Sequence, residues 1–152
     1  MATQKNILVL IRHGEAIAHG EGLSDLGIIQ TNEAATFVKQ FFGKIKIAHL
    51  ICSDGPCAKE GAHIIGKEIN EIPLVLRDQE TIGLIESSID KFPGELPKVV
   101  ITRGKFIRES VPLIAANLKC KNPLEDDELP DKGRAYAVIC DFDKKTIERV
   151  AF

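Results

Sequence analysis

Four short apolar runs, ILVLI (7–11), IAHLIC (47–52), PLVL (73–76) and VVIT (99–102), alternate with longer segments in which apolar residues recur at helical spacing. Nothing else in the chain narrows its folding options as much. Runs with almost no polar interruption suit strands covered on both faces, the arrangement produced when crossover helices lay strands parallel. The expected fold class is therefore α/β: a three-layer sandwich with a mostly parallel central sheet and helices on both faces. In LSDLGIIQTNEAATFVKQFFG, the residues Leu26, Ile29, Ala34, Phe37, Val38, Phe41 and Phe42 can share one broad helical stripe, with Ser24 as N-cap and Gly43 as the stop. A second helix is expected from Pro56 through CAKEGAHIIGKEI, and a third over GKFIRESVPLIAANLKC with Pro112 as a kink or point of strain. Segment 77–97 is less regular, and the expectation there is a loop, a short helix near Ser87 to Phe92 and a turn at Pro93-Gly94. The acidic run EDDE (125–128) reads as a solvated loop. The final stretch, AYAVICDFDKKTIERVAF, reads as an antiparallel hairpin about Asp143-Lys144-Lys145, added to the sheet edge.

A chain of 152 residues suits one domain, 1–152, with a core large enough to need no disulfide or metal. A net charge of −2 gives no general attraction for nucleic acid or anionic lipid, so neither a nucleic-acid nor a membrane partner is expected. The apolar run before Arg12 and His13 is too short for a secretory or membrane-spanning segment, and the expected location is cytoplasmic. Cys52, Cys57, Cys120 and Cys140 form no C-x-x-C pair, and only His49 and His63 lie near the first two. Reduced thiols are expected, without a metal site or cofactor. Oligomeric state is left open.

Three of the four strand candidates end in residues that can do chemistry. Arg12-His13-Gly14 closes the first, Ser53-Asp54-Gly55-Pro56-Cys57 the second, and Thr102-Arg103-Gly104 the fourth. In open α/β sheets ligands sit at the carboxyl ends of the strands. Two fixed cations, helix N-termini and glycines that let backbone N–H groups approach make an anion pocket, most naturally for phosphate. The candidate binding set is Arg12, His13, Gly14, Ser53, Arg103 and Gly104. Ser53 can bond the anion or cap the following helix. His19 is expected to be exposed, His49 and His63 to be structural, and Lys59 and Lys105 to be ordinary surface lysines. CAKEGAH lacks the C-x5-R of cysteine phosphatases. A receiver-like reading of Asp54 is disfavoured, because no acidic pair closes the first strand and no lysine follows the last apolar strand.

The run LVLIRHGEA followed by LSDLGIIQ resembles the opening of the histidine phosphatase (phosphoglycerate mutase-like) superfamily, a strand, R-H-G and L-T/S-x-x-G at a helix start. ICSDGPCAKEGAHII is similar to the S-x-x-x-R-A-x-x-T-A helix start of that family, and VVITRGKFIRES to its second-histidine strand and H-G-x-x-I/L-R. The short length resembles the small phosphohistidine-phosphatase branch. The resemblance implies that His13 is the nucleophile and Arg12 a phosphate clamp, with Asp78 or Glu80 as the acid and Glu109 as a weaker candidate. Two positions depart from the family pattern. Cys57 stands where a second arginine is expected, with Gly61 where a threonine often follows, and Arg103 stands where the second histidine is expected. Cys57 is either a passive replacement or an oxidation-sensitive thiol of depressed pKa. Arg103 keeps the charge and offers a bidentate fork, but it does not titrate near neutral pH. The expectation is a phosphate-binding protein that is a weak or inactive hydrolase acting on a phosphorylated small molecule or phosphoprotein. The competing expectation is an active phosphomonoesterase or phosphohistidine phosphatase working through phospho-His13.

Overall fold

Each apolar run becomes a strand, and the order in which the strands pair brings their ends together. The computed structural model describes residues 6–17, 21–77, 98–124 and 135–152. The expected helix near 87–92, the 93–94 turn, the 125–128 loop, His19, Asp78 and Glu80 lie outside them. The elements run β1 (Ile7–Arg12), α1 (Asp25–Phe42), β2 (His49–Ser53), α2 (Pro56–Ile69), β3 (Leu74–Leu76), β4 (Lys98–Thr102), α3 (Gly104–Leu118), β5 (Tyr136–Asp141) and β6 (Thr146–Ala151). One six-stranded sheet has the order β3-β2-β4-β1-β5-β6. β1 to β4 are mutually parallel, and the β5–β6 hairpin joins antiparallel beside β1. Among the described residues no helix is long and apolar enough to cross a membrane.

Strand alternation divides the core in two. Ile7, Val9, Ile11, Val99 and Ile101 face α1 and α2, where Ala34, Val38, Ala62 and Ile65 meet them. Leu8, Leu10 and Val100 face α3, against Phe106, Ile107, Val111 and Ile114. The three-layer expectation therefore holds. The helix boundaries follow local chemistry. Ser24 caps α1, its hydroxyl accepting the Gly27 N–H at 3.0 Å, and Gly43 ends that helix with φ of 59°. Pro56 opens α2, where a missing N–H costs nothing. α3 continues through Pro112, on its exposed side, to Leu118.

Two expectations fail. Leu26 and Ile29 do not join the buried stripe of α1; they are 49% and 56% exposed. The inner face of the first turns consists instead of Gly27, Gln30 and Thr31, because the chain leaving β1 crosses there. The Glu15 N–H donates to Gln30 Oε1 at 2.9 Å, the Ser24 N–H to the Glu15 carbonyl at 2.8 Å, and Thr31 Oγ1 to the Gly27 carbonyl at 2.7 Å. Such a crossing selects small and hydrogen-bonding residues over apolar ones. β3 is likewise not covered on both faces: Leu74 and Val75 are 48% and 45% exposed, since β3 is the edge strand and pairs only with β2 among the described residues.

The crossing is tight enough to exclude a side chain on either partner. A Cβ on Gly14 would collide with the Gly27 carbonyl, and a Cβ on Gly27 with the Glu15 carbonyl. Backbone cannot yield as a flexible side chain can. Gly27→Ala is therefore expected to destabilise the fold by roughly 1–3 kcal/mol, the usual cost of overpacking, read as a lower urea midpoint at unchanged m-value.

Candidate functional site

β1, β2 and β4 run in the same direction, so Arg12, Ser53 and Thr102 emerge at one edge of the sheet, where the N-termini of α2 and α3 also lie. The His13 N–H donates to the Thr102 carbonyl at 3.2 Å, tying the first strand end to the fourth. Beyond that bond a pocket of about 170 Å³ opens, lined by His13, Ala16, Gly55, Cys57 and Arg103 among others. Residues from three separate strand ends thus share one concavity. A larger open pocket of about 600 Å³ lies between the C-terminal ends of α1 and α2, at the opposite end of α2 from these residues, and is lined by none of them.

His13 is half-buried, and its Nδ1–H donates to the Gly14 carbonyl at 2.8 Å. That bond holds the ring and leaves Nε2 as the nitrogen available to a ligand. Burial pushes the His13 pKa below its usual value; the Gly14 carbonyl opposes this, while Arg12 and Arg103 add to it. The imidazole is neutral at neutral pH, the state a nucleophile needs. Arg103 is exposed, occupies the N-cap of α3 and lines the pocket with His13.

Arg12 is half-buried and runs beneath the start of α3, where a Cβ on Gly104 would lie 3.0 Å from Arg12 Nε and 3.2 Å from Cδ. Gly104 therefore leaves room for the arginine. Burial lowers the Arg12 pKa, Tyr136 raises it and Arg108 lowers it, but a guanidinium stays charged throughout. Gly14 is buried at the α1 crossing. Ser53 does not cap α2, whose N-cap is Gly55; it is 3% exposed, and its hydroxyl has no hydrogen-bond partner among the described residues.

Cys57 lines the pocket at the first turn of α2, yet its thiol is not activated. Burial raises its pKa first and Glu60 raises it further, while the Gly22 N–H and Arg12 pull the other way and lose. The depressed-pKa alternative is corrected by this burial: a helix N-terminus acts on a thiol through partial charges, and desolvation of the thiolate outweighs them here. Glu60, one turn further on, accepts the Leu23 N–H at 3.1 Å and pins the loop before α1 to α2. Asp54, Lys59, Lys105 and Glu109 are exposed; His63 is exposed on α2 rather than structural, and His49 is half-buried at the amino end of β2, away from the pocket. No group of three or more His, Cys, Asp or Glu side chains among the described residues is placed to hold a metal.

Sequence reasoning did not find Thr102 and Tyr136 as neighbours of Arg12. Both are its register partners, Thr102 on β4 and Tyr136 on β5. Tyr136, the chain's one tyrosine, carries no motif that marks it. Only the strand register brings it to the site.

No protein-family model and no curated protein sequence matches the chain. Solved structures do. The protein histidine phosphatase SixA complexed with tungstate superposes over 95% of this chain and 96% of its own at 17% identity, with a TM-score of 0.64. The chain has the histidine phosphatase fold. Phosphoglycerate mutase from Plasmodium falciparum shares that fold over 96% of this chain and 89% of its own at 18% identity, TM-score 0.58. A mycobacterial glucosyl-3-phosphoglycerate phosphatase complexed with VO3 does so over 96% and 97% at 16% identity, TM-score 0.59. In this fold the paired strand ends of β1 and β4 form the floor, and His13 and Arg103 rise from it.

The lowered His13 pKa has a consequence for stability. A histidine that binds its proton more weakly when folded penalises folding wherever the unfolded chain is protonated. Its favourable share is complete above the unfolded value near 6.5 and is lost as pH falls through that value toward the folded one. Wild-type stability should therefore rise between about pH 5 and 7 more steeply than that of His13→Asn, by denaturant titration at each pH. An NMR titration of the His13 ring should give a midpoint below 6.5.

Proposed function

We propose that this pocket binds the phosphoryl group of a phosphorylated small molecule or phosphoprotein and is impaired as a hydrolase. The observation that carries the reading is the pairing of a neutral His13, its Nδ1–H on the Gly14 carbonyl, with Arg103 in one pocket beside two helix N-termini. Backbone dipoles and a guanidinium favour an oxyanion there, and Arg12, close enough to act electrostatically on both His13 and Cys57, adds a second cation behind the pocket lining. Tungstate and VO3, the oxyanions named with two structures of the same fold, support the choice of phosphate.

In the reaction this site resembles, His13 Nε2 attacks phosphorus and forms a P–N bond as the ester oxygen departs, taking a proton from an acid, for which Asp78 and Glu80 remain the candidates. Water then attacks the phosphoimidazole and frees phosphate. Arg12 and Arg103 would spread charge over the phosphoryl oxygens in both steps. What is missing is a titratable group at 103 and a guanidinium at 57. Arginine donates hydrogen bonds without exchanging a proton, and a buried protonated thiol offers little to an anion. Ligand capture survives both changes better than turnover does, since turnover needs stabilisation realised only in the transition state. A second reading, a slow phosphomonoesterase working through phospho-His13, is favoured by the neutral, oriented imidazole alone.

Calorimetry with tungstate or phosphate should show binding to the wild type, weakened at least tenfold in Arg103→Ala, a loss in the range expected for removing a charged hydrogen-bond partner. Absence of binding would sink both readings. Hydrolysis of p-nitrophenyl phosphate and of phosphohistidine should be close to background. The double change Cys57→Arg with Arg103→His should raise kcat/KM by about 10²-fold, comparable to restoring one transition-state donor. Robust wild-type turnover abolished by His13→Ala would instead establish the second reading.

A further inference from the structure

The chain that leaves β1 doubles back on itself beside the pocket. Residues 15–17 pair antiparallel with 22–24: Ala16 bridges Leu23, the Ile17 N–H donates to the Gly22 carbonyl at 2.9 Å, and the Ser24 N–H donates to the Glu15 carbonyl at 2.8 Å. The Ser24 hydroxyl adds a bond to Glu15 Oε1 at 3.0 Å. This short ribbon supplies Ala16 to the pocket lining, and the start of α2 supplies Gly55, Cys57 and their neighbours. The width of the pocket therefore depends on where the ribbon sits against α2.

One side chain joins the two. Glu60 lies on α2 one turn beyond Cys57, and its carboxylate accepts the Leu23 N–H, with Oε1 at 3.1 Å and Oε2 at 3.4 Å. Leu23 is 7% exposed, so its N–H has little water to turn to and depends on a protein acceptor. Gly22 comes as close: a Cβ there would lie 3.0 Å from Glu60 Oε1, and its own N–H meets the Cys57 thiol. A carboxylate is nevertheless an adverse choice in this place. Glu60 acts electrostatically on Cys57, which lines the pocket, and its charge opposes any anion bound there. What recommends it is its reach to the ribbon.

We infer that Glu60 is the positioning residue for the pocket wall: by accepting the Leu23 N–H it fixes the paired residues 15–17 and 22–24 against α2 and so sets how closely Ala16 and Cys57 enclose an oxyanion. This role rests on the phosphate-pocket reading above. A wall ordered before the ligand arrives lowers the ordering cost of binding. A charge-assisted hydrogen bond to backbone supplies that order more firmly than a neutral one.

Reach and charge can be separated at this position. Glu60→Gln keeps an acceptor oxygen at the same reach without the charge, and Glu60→Asp keeps the charge one carbon short of the Leu23 N–H. Tungstate affinity by calorimetry is expected to be unchanged or tighter in Glu60→Gln and about three- to tenfold weaker in Glu60→Asp, the size of one modest hydrogen bond. Glu60→Ala should weaken binding as Glu60→Asp does, although it removes a negative charge near the anion. Exchange of the Leu23 N–H with solvent should quicken in Glu60→Asp and Glu60→Ala and stay slow in Glu60→Gln, with the amides of β1 and β4 protected in all three. An effect of charge alone gives the opposite pattern, tighter binding in both Glu60→Gln and Glu60→Ala and wild-type binding in Glu60→Asp. That pattern, wild-type affinity in all three variants, or equal weakening in Glu60→Gln and Glu60→Asp would overturn the inference. If Glu60→Ala does not fold, the Gln and Asp pair decides. Should the wild type bind no tungstate, the pocket reading fails, and Leu23 N–H exchange alone decides whether Glu60 holds the ribbon.

Discussion

Parallel pairing of β1 with β4, from Leu8 opposite Lys98 to Arg12 opposite Thr102, is the constraint on which the rest of the structure depends. The two strands are remote in sequence, and parallel strands cannot be joined by a tight turn, so the intervening chain must cross over through helices. α1 and α2 cover one face for that reason. The register is held from both sides, by Ile11 and Ile101 in one core and Leu10 and Val100 in the other. A slip of one residue would exchange the two sets and bury the wrong faces of both strands. Because both strands end at the same level, the residues that follow them, His13 and Arg103, come to one pocket, and the bond from the His13 N–H to the Thr102 carbonyl carries the ladder one residue past the strands.

Around that shared edge the protein separates charge from proton chemistry. Arg12 and Arg103 are permanent cations, and together with burial they keep His13 neutral. The Cys57 thiol is kept protonated by desolvation beside Glu60. The groups that could titrate near neutrality are thereby held uncharged, and the groups that are charged cannot titrate. Such a site is suited to holding an anion in place. Moving protons between an ester and water needs a further participant, which on the proposed reading neither Cys57 nor Arg103 supplies.

Elements with strong local signals could be read directly from the chain. The Ser24 cap, the Gly43 stop and Pro56 at the start of α2 act through backbone groups within a few residues, so their effect does not depend on distant packing. The near-continuous apolar runs also marked the strands, although β3 proved to be an exposed edge: apolar content reports burial only when a neighbour exists to supply it. The α1 stripe misled for a related reason. Helical spacing placed Leu26 and Ile29 on an inner face that the β1–α1 crossing had already filled, with Gly27 admitting the backbone and Gln30 and Thr31 completing its hydrogen bonds.

At the site itself, the residue types and their order along the chain by themselves determined that Arg12, His13 and Arg103 would stand where strands end and helices follow, hence at the carboxyl edge of the sheet, where the anion pocket is proposed. Tertiary structure alone decided how those side chains divide. His13, Cys57 and Arg103 line the pocket, while Arg12 runs beneath Gly104 beside Tyr136, and Ser53 sits in the core below. The Cys57 thiol, the Ser53 hydroxyl and the position of Tyr136 were illegible in the chain for one physical reason. Desolvation and cross-strand register are properties of neighbours brought in from elsewhere, and no local pattern of residues encodes which neighbours those will be.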